Sequence, residues 1–287
     1  MSRLEQACHH CQSLAAGHYE NFPVASRLLP KRLRRPISVI YAFARTADDF
    51  ADEGELSKAQ RHAKLDDYSD KLSAIAQGEA IDDPIFIALA DVITRHDLPL
   101  SLFHDLLTAF KMDINKTRFA DFIEILNYCH YSANPVGRLL LYLHEAATPK
   151  NLSYSDNICS ALQLINFYQD LQQDYHEHDR IYLPLDEMQR FGVDEAHLKQ
   201  ARSDPAMQAL MDFQLQRAAA MLKQGSALGN TLKGRFGLEL RMIIHGGAAV
   251  LGKLQQHHGD VFLRPRLNKR DAVQIAARAL LRVSVLK

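Results

Sequence analysis

The chain has 287 residues, enough for one large helical domain or two small ones. Lys and Arg together number 34, as do Asp and Glu, so net charge makes no case for a nucleic-acid partner. The cysteines at 8, 11, 129 and 159 form no disulfide framework, and Cys8-His9-His10-Cys11 lacks the second pair that a structural zinc site needs. Arg3 and Glu5 near the start do not read as a signal peptide, and uncharged runs such as 125–137 are too short to span a bilayer. The expected location is the cytoplasm, with contact to a membrane surface left open.

Leu, Ala, Gln and Arg dominate and β-branched runs are scarce, which predicts an all-α chain of about ten helices. No linker divides it, so one domain over 1–287 is expected. The first helix is read from about Arg3 to Tyr19, with a break at Pro23–Pro30. The next begins between Lys31 and Pro36 and runs to Asp52, and Ser57 is the N-cap of its successor at about 57–77. Helices follow at about 83–95, where Asp83 caps and Pro84 takes the first position, and at about 99–114. One at about 119–147 should kink or break at Pro135. Another starts near Ser153 or Ser155 and ends around Tyr175. The last three are read at about 205–232, 235–257 and 268–285. Met207, Met211, Met221 and Met242 are read as core packing.

Two acidic stretches stand out. On a helix, Tyr41, Arg45, Asp48 and Asp52 share one stripe, with Asp49 at its edge. Three carboxylates so close repel one another unless water or a cation lies between them. Hard oxygen ligands of this kind suit Mg²⁺, which shares its shell with waters and phosphate oxygens. Far downstream, Asn166, Asp170 and Asp174 recur at four-residue spacing, with Gln163 close to that face. Facing each other, two such helices would form an acidic cleft for metal and diphosphate. The plainer reading is a solvated face with capping Asp residues. Arg45 is read either as a phosphate ligand or as an intrahelical ion pair with Asp48 or Asp49. Lys31, Arg32, Arg34 and Arg35 are read mainly as a solvated surface or a contact with anionic lipid, and Arg264 and Arg266 as surface groups in preference to a late basic contact.

Taken together, Y-x-x-x-R-x-x-D-D-x-x-D from Tyr41, Q-L-x-N-x-x-x-D-x-x-x-D from Gln163 and R-I-Y-L-P from Arg180 resemble the squalene/phytoene synthase family. The resemblance runs strongly from about His18 to Arg190. Glu20–Ser26 and Ser132-Ala133-Asn134-Pro135-Val136-Gly137 look like its bacterial hydroxysqualene-forming branch, of hopanoid biosynthesis. The resemblance implies an isoprenoid synthase-type helical bundle around a central cavity. It also implies Mg²⁺ held by Asp48, Asp49, Asp52, Asn166, Asp170 and Asp174, with no need of NADPH.

The same resemblance places His18, Asn21, Tyr41, Arg45, Gln163, Asn166, Arg180 and Tyr182 at the substrate. Tyr19 and Asn21 stand where relatives commonly have serines, and Gln169 stands where some have Arg. Tyr41 and Tyr128 take catalytic places, Tyr128 near a carbocation. Asn134 stands where relatives commonly have Gly. It is read either as holder of a water that quenches the cation or as an amide that satisfies backbone freed by Pro135. His176, Glu177 and His178 are read as a polar, lid-like stretch before Arg180. The implied reaction is presqualene diphosphate plus water giving hydroxysqualene and diphosphate. Squalene, dehydrosqualene and phytoene synthesis are runners-up, and other hopanoid-pathway enzymes are candidate partners. A di-iron carboxylate bundle would want Glu-x-x-His pairs, which neither acidic stretch carries. A non-catalytic assembly factor on this fold would be expected to have lost the aspartates.

Overall fold

The computed structural model describes residues 1–17, 30–256 and 261–285. Among them the regular structure is helical, with no strand beyond one isolated bridge between Phe119 and Pro184. The chain parts into two compact units, 1–115 with 135–148, and 116–134 with 149–287.

The first unit contains α1 (Arg3–Gly17), α2 (Lys31–Asp52), α3 (Lys58–Gln77), α4 (Pro84–His96) and α5 (Leu100–Asn115). Phe43 on α2 is its central ring, fully buried, with edge contacts to Phe86 at 5.8 Å and Phe103 at 5.4 Å. The buried side of α2 carries Leu33, Ile37, Ala42, Phe43, Ala47 and Ala51, so the Tyr41–Asp52 stripe lies on the other side. The caps follow the expected chemistry: Ser57 and Gln60 form a capping box on α3, and Asp83 caps α4 ahead of Pro84.

The second unit contains α6 (Phe122–Ser132), then α8 (Pro149–Gln169), α9 (Leu171–His178), α10 (Leu185–Phe191) and α11 (Glu195–Lys199). It continues with α12 (Pro205–Gly225), α13 (Leu228–Thr231), α14 (Gly234–Gln256), a 3₁₀ turn at Val261–Leu263 and α15 (Lys269–Leu280). Between α6 and α8 comes α7 (Asn134–Leu143), whose length beyond Asn134 belongs to the first unit. Helix α8 packs against α12 along its length. Gly225 makes this possible, because a Cβ there would stand 2.6 Å from the Tyr154 carbonyl oxygen.

Three expected helices are interrupted; the one read at 205–232 stops at Gly225 and resumes as α13 at Leu228. The 119–147 helix is two, α6 and α7, parted at Ala133, and Pro135 falls in the first turn of α7 where its missing N–H costs nothing. The helix expected to end near Tyr175 stops at Gln169, and α9 resumes at Leu171. Asp170 leaves helical geometry at φ −104°, ψ 11°, yet its N–H still donates to Asn166 and its carbonyl still accepts from Asp174. The four-residue register of the second acidic stretch therefore survives the break. His176, Glu177 and His178, the polar stretch before Arg180, lie on α9, because the helical bonds continue through them to Asp179.

Candidate active site

On α2 the acidic stripe is half-buried to exposed, as a metal- or phosphate-binding face must be. Arg45 reaches Asp49 at 2.7 Å and Asp48 at 3.8 Å, and it also pairs with Glu53, which sequence reasoning missed. The intrahelical pairing foreseen for Arg45 is thus present, extended by one carboxylate beyond the helix. Tyr41 lies one turn before Arg45 on the same helix. A second missed residue holds the end of this helix in place. From α3, the Arg61 guanidinium donates to the carbonyls of Phe50, Glu53, Gly54 and Leu56 at 2.8–3.1 Å. Carbonyls at a helix C-terminus have no helical partner, and a guanidinium there satisfies several of them and favours the negative end of the dipole. Only the fold brings Arg61 to that end, so its position in sequence gave no signal.

In the second unit, Asn166 is exposed while Gln163, Asp170 and Asp174 are half-buried. Burial, reinforced by the neighbouring Asp170 charge, pushes the Asp174 carboxyl up to about 7. Arg180 and Arg264 pull the other way without cancelling it. Arg264 donates through Nε to Asp170 Oδ1 at 2.7 Å, and Gln169 Nε2 donates to the Pro265 carbonyl at 2.6 Å. A strap after the 3₁₀ turn thus crosses the acidic stretch. Of the two readings of Arg264, the preferred surface one gives way to a basic contact, and its partner, 94 positions away in sequence, carried no local clue.

Arg180 and Tyr182 are fixed by their backbone. The Arg180 N–H closes α9 on the Asp174 carbonyl at 3.0 Å, and Ile181 and Leu185 N–H groups donate to Thr117 and Phe119, both at 2.9 Å. Arg118 ties the same loop down through Asp179 and Glu195. Tyr182, expected at the diphosphate, has its ring flat on Phe167, with centroids 3.7 Å apart and planes 3° apart. Tyr128 and Phe119 complete this four-ring cluster, with Tyr128 5.8 Å from Tyr182 and 6.0 Å from Phe167. Ring faces carry negative quadrupole charge and attract cations.

Asn134 is buried, and its amide oxygen accepts from Ser160 Oγ on α8 at 3.0 Å. The amide is thus held by a side chain of the helix that carries the second acidic stretch, rather than by backbone beside Pro135. His18 and Asn21 lie outside the described residues.

Among the described residues no three His, Cys, Asp or Glu side chains converge into a preformed metal cage. Mg²⁺ keeps several waters and takes one or two carboxylates plus phosphate oxygens, so it does not require such a cage. The donor sets fit that chemistry: hard oxygens, partly open to solvent, and in the second unit one carboxyl whose ionisation its neighbour opposes. No helix among the described residues is long and apolar enough to cross a membrane.

The family model for squalene/phytoene synthase matches residues 15–272. A hydroxysqualene synthase of Rhodopseudomonas palustris is 38% identical over 225 residues, covering 78% of this chain and 75% of that protein. One from Zymomonas mobilis is 33% identical over 265 residues, covering 91% and 87%. The crystal structure of a squalene synthase from Alicyclobacillus acidocaldarius superposes with a TM-score of 0.83 at 32% identity, covering 89% of this chain and 95% of that one. The helical architecture is that of the isoprenoid synthases. The chain therefore belongs to the squalene/phytoene synthase family, as an enzyme of that type whose substrates are prenyl diphosphates.

Proposed function

We propose that the protein converts presqualene diphosphate and water to hydroxysqualene and diphosphate in a Mg²⁺-dependent reaction. The observation that carries the ionisation half of this reading is the Asp170–Asp174 pair, one helical turn apart, with burial first and the Asp170 charge second raising the Asp174 carboxyl to about 7. Such a pair favours binding of a cation that relieves the repulsion. Similarity to two hydroxysqualene synthases supports the choice of product.

Asp48, Asp49 and Asp52, and likewise Asn166, Asp170 and Asp174, would hold Mg²⁺. Bound there, it supplies the positive charge that neutralises diphosphate oxygens as they leave. Arg45 and Arg180 are assigned charge-assisted hydrogen bonds to diphosphate oxygens. His18, Asn21, Gln163 and Tyr41 belong to the same substrate-binding set. The carbon–oxygen bond breaks with its electron pair going to diphosphate. Tyr128, with the rings of Phe119, Phe167 and Tyr182, shields the resulting carbocation from bulk water and stabilises it by its ring faces. Asn134, its oxygen engaged by Ser160, directs its amide NH₂ to a water oxygen. That water gives a lone pair to the cation and its surplus proton passes to the released diphosphate. No nicotinamide cofactor is needed, because the cation is quenched by water and not by hydride.

The runner-up is head-to-head coupling of prenyl diphosphates to a hydrocarbon, favoured by the structural match to a squalene synthase. Purified protein incubated with presqualene diphosphate and Mg²⁺ in ¹⁸O-water, without NADPH, separates the two. Labelled hydroxysqualene is the expected product. A hydrocarbon, or consumption of farnesyl diphosphate with accumulation of presqualene diphosphate, would replace the proposal with the runner-up.

A further inference from the structure

Apolar side chains left in water are concentrated at one end of the chain. Of the nine large ones exposed among the described residues, six lie between Leu263 and Val283, including Val273 at 70%, Leu280 at 66% and Leu281 at 76%. A surface helix ordinarily turns its apolar stripe inward. Helix α15 does this with Ile275 and Ala279, which are buried where it packs on α14. It then presents a second apolar row outward: Val273 and Leu280 are seven residues apart, on one face, and Leu281 follows in the turn.

Charge marks the same segment. Residues 261–287 contain seven Lys or Arg and one Asp, in a chain whose positive and negative residues are equal in number. That single Asp271 is engaged, 2.9 Å from Lys253. Arg266, Lys269, Arg270 and Arg282 are exposed around the apolar row. Apolar residues ringed by cations match an interface in which hydrocarbon lies beneath anionic headgroups. A second copy is a poorer occupant, because two such faces would bring like charges together.

We propose that the outward face of α15, with the turns on either side, docks the protein onto an anionic lipid bilayer. The inference is independent of which terpene the enzyme makes. A surface docked this way keeps the enzyme where its long-chain substrate and water-insoluble product dissolve.

Co-flotation of the full-length protein with vesicles of phosphatidylcholine, with and without phosphatidylglycerol, tests this. Binding is expected only with phosphatidylglycerol and should weaken as salt rises. Lys269→Glu with Arg270→Glu should weaken it on the order of tenfold or more, and Leu280→Ser with Leu281→Ser should weaken it at constant charge. Both variants should keep wild-type turnover of detergent-dispersed substrate, and Val273→Ser provides a milder apolar variant if the double one fails to fold. Equal binding to vesicles without phosphatidylglycerol, or wild-type binding by the folded variants, would overturn the proposal. So would a concentration-dependent dimer in sedimentation equilibrium that Leu280→Ser with Leu281→Ser abolishes.

Discussion

Asp174 carries two opposed demands. Its place one turn beyond Asp170 suits a shared cation, while burial beside that charge disfavours its own ionisation. Its folded value, about 7, lies above the ordinary 3.8, so its contribution to the fold is complete below about 4 and is lost as pH rises through 7. In chelator, Asp174→Asn should therefore raise the unfolding temperature at pH 8 and change it little at pH 4, while abolishing turnover with Mg²⁺. An unchanged unfolding temperature at pH 8, by calorimetry, would count against the raised value. Asn134 is tested by the balance of products. Asn134→Ala in a folded variant should lower alcohol relative to hydrocarbon or diene products by about tenfold, the size of effect of one hydrogen bond of ~1.4 kcal/mol. Unchanged alcohol yield by gas chromatography would leave Asn134 a structural amide held by Ser160. Asp174 was legible from its four-residue spacing with Asp170, and Asn134 as an amide in a stretch of small and aromatic residues. The side chains that hold Asn134 and Asp170, namely Ser160 and Arg264, could not be paired with them from sequence, because hydrogen bonds across 26 and 94 residues leave no periodic trace.

At the scale of elements, periodicity and caps located most helices within a few residues, because apolar spacing and N-cap chemistry are local properties. The interruptions at Ala133 and Asp170 were located less well. Pro135 announced the first, but no Gly or Pro marks the second. Arg61 shows how an element is held by something outside it. Arg61→Met keeps the aliphatic stem but strips the donors from four carbonyls at the end of α2. It should destabilise the protein by about 2–4 kcal/mol, read from denaturant unfolding, and raise the Mg²⁺ concentration needed for half-maximal activity. Gly225→Ala should cost about 1–3 kcal/mol, since backbone of α8 at Tyr154, and not only the Ile158 side chain, blocks the new methyl. A neutral result in the same unfolding experiment would mean that α12 can shift away from α8 at little cost.

For the whole molecule, equal numbers of acidic and basic residues conceal an uneven distribution, with carboxylates on α2 and around Asp170 and cations gathered in the last 27 residues. If the carboxylates are a cation site, Mg²⁺ should raise the unfolding temperature, and more at pH 8 than at pH 5, because it competes with the proton on Asp174. An equal shift at both values, by differential scanning fluorimetry with KCl matched for ionic strength, would place the metal away from Asp174.

Local sequence was enough for the helical class, most caps, and the residue types and spacing of both acidic stretches. Each of these depends on neighbours within a turn or two, so it is written locally. The tertiary structure decided which side chains hold those stretches: Arg264 on Asp170, Arg61 on the end of α2, and Ser160 on Asn134. It also decided that Tyr182 joins an aromatic cluster with Tyr128 and Phe167. It showed, finally, that α15 turns apolar side chains outward as well as inward. These depend on which distant surfaces meet and which stay open, and packing of the whole chain settles that.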